Sequence, residues 1–271
     1  MMKGQMVCLY LKNKGSAVRF CLWPPMRKYL NPLNYINYFS KKMNTFFINR
    51  KEKKINNIKF LEEKLKNIKN VESLLDFHFQ TYSDSKHINK DMFEILLEIF
   101  SGSSINILET GSAAHGTKSS LLFASYVKIF GGKFDTVDTN PKIKSFYSFL
   151  ESNNIRFHTE DSLNYINNLD DDIINGLDLV YLDSFDLDID NPDPSQEHGL
   201  NEFLLLDKKL KKGAFLSIDD TPISYELFGN SKINKFDFIP GKGRLVLNYL
   251  DKNPNQYEIL YHNYSLVLKK L

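Results

Sequence analysis

The chain has only two cysteines, Cys8 and Cys21, both near its start. Their spacing makes neither a metal-ligand pair nor a disulfide framework, which excludes zinc-ribbon and disulfide-stapled folds and leads us to expect a reducing, cytoplasmic setting. No run of about 18 apolar residues occurs. The longest N-terminal candidate, Met6 to Leu11, stops at Lys12, so neither a membrane span nor an ordinary signal peptide is expected. The GxxxxGKS/T phosphate loop and the GxGxxG dinucleotide turn are both missing, and no internal repeat is visible.

What is present is one large domain's worth of apolar sequence, 42% of 271 residues, with an uneven charge. Residues 1–70 carry 16 Lys and Arg against 3 Asp and Glu, while the remainder carries 19 against 30. A solvated helical arm would account for this. Interleaved aromatics (Phe20, Trp23, Tyr29, Tyr35, Tyr38, Phe39, Phe46, Phe47) leave two further uses open: peripheral contact with the inner membrane face, or packing in a homo-oligomer. Nucleic acid is the least favoured partner. Ile55, Ile58, Leu61, Leu65 and Ile68 recur at three- and four-residue spacing, which predicts a largely helical extension over residues 1–84 before a domain at 85–271.

Within that domain, five apolar runs each end in carboxylates. Ile105 to Leu108 leads into Glu109-Thr110-Gly111 and a small-residue loop to Gly116. Lys133 to Asp138, Ile155 to Asp161, Leu177 to Asp183 and Ala214 to Asp220 follow, with helical patterns between them. Such alternation predicts a doubly wound, mostly parallel sheet, and ligands on such sheets sit at the carboxyl ends of the strands. The small residues after Glu109 allow close approach to the backbone, and the helix expected from Lys118 to Phe130 points its free N–H groups at the same spot. Asp138, at the end of the second strand, is placed to hold a ribose. Tyr257 to His262 and Ser265 to Lys270 predict a closing hairpin.

Four further features bear on chemistry. Adjacent Asp219 and Asp220 after an apolar strand, with Asp183, predict a hard divalent cation such as Mg²⁺, although strand-end Asp residues can also cap helices. His198 is a candidate general base, with Asp183 as its competitor. Asp186, Asp188, Asp190 and Glu197 mimic a calcium loop but fail it, since Asn191 replaces the glycine and two prolines stiffen the turn. Lys242 and Arg244, set among Gly241 and Gly243, are either a glycine-flanked helix start or a clamp on an acidic substrate group.

Together these residues resemble the class I S-adenosylmethionine-dependent methyltransferases, and within them the cation-dependent O-methyltransferases related to the macrocin and catechol enzymes. The resemblance covers about Ser85 to Leu271. It implies a seven-stranded Rossmann-like sheet with an antiparallel last strand. It also implies cofactor contacts from Glu109, Gly111, Ala113, Gly116, Asp138, Asp161 and Ser162, and a metal on Asp183, Asp219 and Asp220. The first loop is one residue longer than the family's Gly-x-Gly-x-Gly. The activity implied is methyl transfer from S-adenosylmethionine to a hydroxyl of a small molecule or glycan. The alternatives are a nicotinamide-dependent oxidoreductase, which leaves Asp219-Asp220 unexplained, and a non-catalytic module docking through the basic arm.

Overall fold

A computed structural model describes residues 7–13, 16–22, 58–112, 116–228 and 236–271. The chain divides into two compact units, Met1–Leu61 and Glu62–Leu271. In the first, β1 (Val7–Asn13) and β2 (Ser16–Leu22) form an antiparallel hairpin whose register sets Cys8 opposite Cys21 and Asn13 opposite Ser16. This corrects the expectation of a helical extension for these residues. Each strand is rich in Val, Leu and aromatic residues that suit a pleated ribbon, and only two residues separate the paired ends. Helix α1 spans residues 58–65, and Leu61, Leu65 and Ile68 of the predicted stripe are buried. The aromatics from Trp23 to Phe47 lie outside the described residues.

The second unit begins earlier than residue 85. Helix α2 (Val71–Thr81) packs against α3 (Lys90–Glu98) and α4 (Ser119–Phe130), and Phe79 meets Phe93 with ring centroids 6.3 Å apart. Asn70 starts α2 by accepting the Ser73 N–H at 2.9 Å, which satisfies one of the helix's orphan donors.

Seven strands build the sheet: β3 (Ile105–Thr110), β4 (Gly132–Asp138), β5 (Ile155–Thr159), β6 (Leu179–Leu182), β7 (Phe215–Ile218), β8 (Tyr257–His262) and β9 (Leu266–Lys270). Their order is β5-β4-β3-β6-β7-β9-β8, parallel from β5 to β7, with β9 antiparallel to both of its neighbours. The predicted sheet and its antiparallel last strand are therefore present. Between the strands run α5 (Pro141–Tyr147), α6 (Ser162–Asn168), α7 (Asp171–Asn175), α8 (Asp193–Asp207) and α9 (Arg244–Lys252).

Both faces of the sheet are covered, which is why β6 and β7 are buried at every position. On one face Val180, Leu182, Leu216 and Ile218 pack with Ile166, Phe203, Leu206 and Val246 from α6, α8 and α9. On the other, Tyr181 meets Phe93 and Phe123 at 5.4 and 5.5 Å between ring centroids. Each such fully buried aromatic contributes about 1.5–3 kcal/mol relative to exposure. This two-sided packing fixes the strand ends, where the acids lie.

Candidate functional site

Chain reversal places the site. From β3 the sheet grows toward β4 on one side and β6 on the other, so a crevice opens between the carboxyl ends of β3 and β6. Gly111 sits in it at φ +79°, its N–H donating to the Val137 carbonyl at 2.9 Å. A Cβ at that position would lie 2.3 Å from the Asp183 carbonyl oxygen and 2.6 Å from the Ser184 nitrogen, so only glycine fits.

Two cavities meet at Gly111, Asp138, Thr139, Ser184 and Phe185. The narrow one, about 140 Å³, adds Glu160, Asp161, Ser162 and His198. The wide one, about 680 Å³, adds His87, Asn89, Asp183, Asp219, Asp220 and Tyr264 among others. Phe185 stands at their junction, 52% exposed, in the left-handed region at φ 57°. That conformation is costly for a bulky side chain and is found most often at ligand clamps. Its ring lies 5.3 Å from that of His198.

The residues singled out in the sequence divide between these spaces. Asp138 lines both cavities and accepts the Asn140 N–H on Oδ1 at 2.6 Å. Asp161 lines the narrow cavity and also caps α6, accepting the Asn164 N–H at 3.1 Å. Ser162 shares a 2.9 Å hydrogen bond with His198. Gly116 lines the wide cavity; Ala113 and His115 lie outside the described residues. Glu109 lines neither. It is fully buried behind the loop, where its carboxylate accepts from Ser119, Ser120 and Thr136 hydroxyls at 2.6, 2.5 and 2.7 Å. Burial pushes its pKa up to about 7 despite those three donors, so Glu109 ties β3 to β4 and α4 while facing no cavity.

His198, proposed from sequence as the base, lies in the narrow cavity, apart from the three aspartates. Burial opposes its charge, but Glu202 at 3.5 Å outweighs burial and raises its pKa above the ordinary histidine value. Asp183 is better placed: it lines the wide cavity, its Oδ1 is held by Lys242, and among the described residues no donor reaches Oδ2. Burial drives its pKa well up, with Lys242 opposing.

The structure brings Asp183, Asp219 and Asp220 to one cavity, and among the described residues every carboxylate oxygen of the three except Asp183 Oδ2 is already engaged. Asp219 accepts from Asn89 Nδ2 at 2.8 and 3.0 Å, from the Tyr181 hydroxyl at 2.7 Å, from the Ser265 hydroxyl at 2.7 Å and from the Asp220 N–H at 2.8 Å. Asp220 Oδ1 accepts from Tyr264 at 2.8 Å. Lys242 Nζ lies 2.7 Å from Asp183 Oδ1 and 3.0 Å from Asp220 Oδ2. Mg²⁺ demands near-octahedral oxygens at about 2.0–2.1 Å. A set already bonded by an ammonium, an amide and three hydroxyls does not fit that demand. Among the described residues no group of three or more His, Cys, Asp or Glu side chains is arranged to hold a metal ion.

Tyr181, Tyr264 and Ser265 were not legible as site residues, since each comes from a strand or hairpin whose apolar pattern reads as core, and neither were Asn89 and His87, which lie in the loop before α3. The Gly-Lys-Gly triplet at 241–243 was the one available signal.

Solved structures with a similar fold include MycE, a methyltransferase from the mycinamycin biosynthetic pathway in complex with Mg and SAH, at TM-score 0.50 and 16% identity over 73% of this chain and 53% of that one. A second MycE structure, with Mg, SAH and mycinamycin VI, matches at 0.50 and 15% over the same shares. The O-methyltransferase from Bacillus cereus in complex with SAH matches at 0.46 and 17%, over 73% of this chain and 91% of that one. The chain spans about half the length of MycE. No family model and no curated protein matches the sequence. The fold is that of the class I S-adenosylmethionine-dependent methyltransferases.

Proposed function

We propose that the chain transfers a methyl group from S-adenosylmethionine to a hydroxyl of a small molecule or glycan. The observation that carries this reading is the meeting of the two cavities at Asp138 and Gly111, beside the acids of β6 and β7. S-adenosylmethionine supplies an already activated sulfonium methyl, so the protein has only to align two reactants and receive a proton. Asp138 accepts the ribose hydroxyls, Phe185 and Ser162 flank a base in the narrow cavity, and Gly111 admits the chain of the ligand against the backbone. The acceptor hydroxyl sits in the wide cavity. As its oxygen forms the new C–O bond, the C–S bond breaks and Asp183 takes the hydroxyl proton, leaving a methyl ether and S-adenosylhomocysteine. No step passes through a divalent cation, because Lys242 and the hydroxyl and amide donors hold every aspartate oxygen of the cluster except Asp183 Oδ2.

Isothermal calorimetry with S-adenosylhomocysteine and with NADH, followed by a mass-spectrometric screen for metabolites that gain a methyl group, tests the reading. Saturable S-adenosylhomocysteine binding and a methylated product are expected. Binding of NADH alone would replace this reading with the oxidoreductase.

A further inference from the structure

The acid cluster contains a cation of the protein's own. Lys242 is 3% exposed, and its ammonium bridges Asp183 and Asp220 at 2.7 and 3.0 Å. Its backbone is as firmly placed as its side chain. The Lys242 N–H donates to the Asp220 carbonyl at 2.9 Å, and the Gly243 N–H donates to Thr221 Oγ1 at 2.9 Å. A Cβ on Gly199 of α8 would come within 2.7 Å of the Lys242 carbonyl oxygen, and one on Gly241 within 2.9 Å of the Asp220 carbonyl oxygen. Glycines on both sides thus let the 241–243 loop settle onto the β7 end and deliver the ammonium into the cluster. Swinging it out would strip a charge partner from two part-buried carboxylates, a change that breaks buried pairs at high cost.

We propose that Lys242 permanently takes the place of the divalent cation in this site, so that methyl transfer by this chain needs no metal. The inference rests on the methyltransferase reading above and narrows it. A divalent ion would chelate a substrate through two adjacent oxygens, as a catechol offers. Lys242 lies behind Asp183 and Asp220 and does not line the wide cavity, so what faces the substrate is carboxylate. The acceptor is therefore a neutral or cationic alcohol that donates a hydrogen bond to Asp183 Oδ2, and an acidic chelating diol is repelled.

Titration of the full chain with Mn²⁺, followed by electron paramagnetic resonance, tests this without needing the acceptor. Wild type should show no saturable Mn²⁺ site that Asp183→Asn removes. Lys242→Gln, which vacates the position and keeps its length, should gain a single site at least about tenfold tighter than anything in wild type, lost again in the Lys242→Gln/Asp183→Asn double variant. A wild-type Mn²⁺ site abolished by Asp183→Asn overturns the proposal. So does a Lys242→Gln protein that keeps its melting temperature yet gains no site. If that variant does not fold, the wild-type titration decides alone. S-adenosylhomocysteine calorimetry on the same wild-type sample separates the two claims. Absent binding there defeats the methyltransferase reading, whereas the Mn²⁺ result judges the lysine.

Discussion

Gly111 and Asp183, 72 positions apart in sequence, touch backbone to backbone, with the missing Cβ of one falling 2.3 Å from the carbonyl oxygen of the other. The contact closes the floor of the crevice between β3 and β6, and it aligns the cofactor side of the site with the acid side.

Gly111→Ala must therefore either displace the Asp183-Ser184 backbone or strain the turn at positive φ. We expect a loss of about 1–3 kcal/mol in stability together with loss of S-adenosylhomocysteine affinity. Urea unfolding and calorimetry check the two effects separately. An alanine variant that matches wild type in both would show that the crevice floor is not fixed by this contact.

Asp138→Ala should weaken S-adenosylhomocysteine binding at least about tenfold while the fold persists, since charge-assisted hydrogen bonds to ribose hydroxyls are worth roughly 1.5–3 kcal/mol. Asp138→Asn, which keeps an acceptor for the Asn140 N–H, should show most of the same loss. Unchanged calorimetric affinity in both variants removes Asp138 from the ribose.

The division of labour between the two cavities predicts opposite phenotypes for the two base candidates. With the acceptor found by the methylation screen, Asp183→Asn should lower kcat by at least about a hundredfold at little cost in cofactor affinity. His198→Gln should raise the KM for S-adenosylmethionine and leave kcat within a few-fold of wild type. The reverse pattern would return the proton to His198.

Glu109 gives the stability a pH dependence of known sign. Its pKa rises from an ordinary 4.5 to about 7 in the folded protein, burial being the main cause. Between those values the native state holds a proton that the unfolded chain has released, so stability declines as pH rises through this window. Glu109→Gln cannot ionise and removes that decline. The variant should gain on wild type from about pH 5 to about pH 7 in urea midpoints and level off above that. A difference between the two proteins that does not change with pH would show the carboxylate to be ionised throughout. His78 acts in the opposite sense: burial holds its pKa down at about 4, and it stabilises the fold less as pH falls from 6.5 toward 4.

The strand ends were readable because a parallel strand writes itself as an apolar run and its ligand-facing end as a polar stop. Asp138, Asp183, Asp219 and Asp220 followed directly from that grammar. Lys242 did not: between Asp220 and Gly241 lie 20 residues without period, and only the folded chain shows that they return the lysine to the strand they left. Asn89 was hidden for another reason. It stands at the N-cap position of α3, yet its amide is turned toward Asp219, 130 positions away, and makes no capping bond. His198 could not be placed by residue type alone, since only the folded chain shows its imidazole in the narrow cavity, apart from the three aspartates. The first hairpin was missed because Lys-rich flanks and a helical stripe further on outweighed two short apolar ribbons.

The insertion of β9 between β7 and β8 has a consequence for biogenesis. β9 is the last of the seven strands to leave the ribosome, yet it occupies an interior slot, and Ser265 at its threshold donates to Asp219. Until residues 265–270 are made, β7 has an open edge and the buried carboxylate of Asp219 lacks its Ser265 donor. The nascent sheet is thus exposed to mispairing along β7 from the time that strand is made until the chain is nearly complete, and it matures in a single late event that seals the edge and completes the acid cluster together.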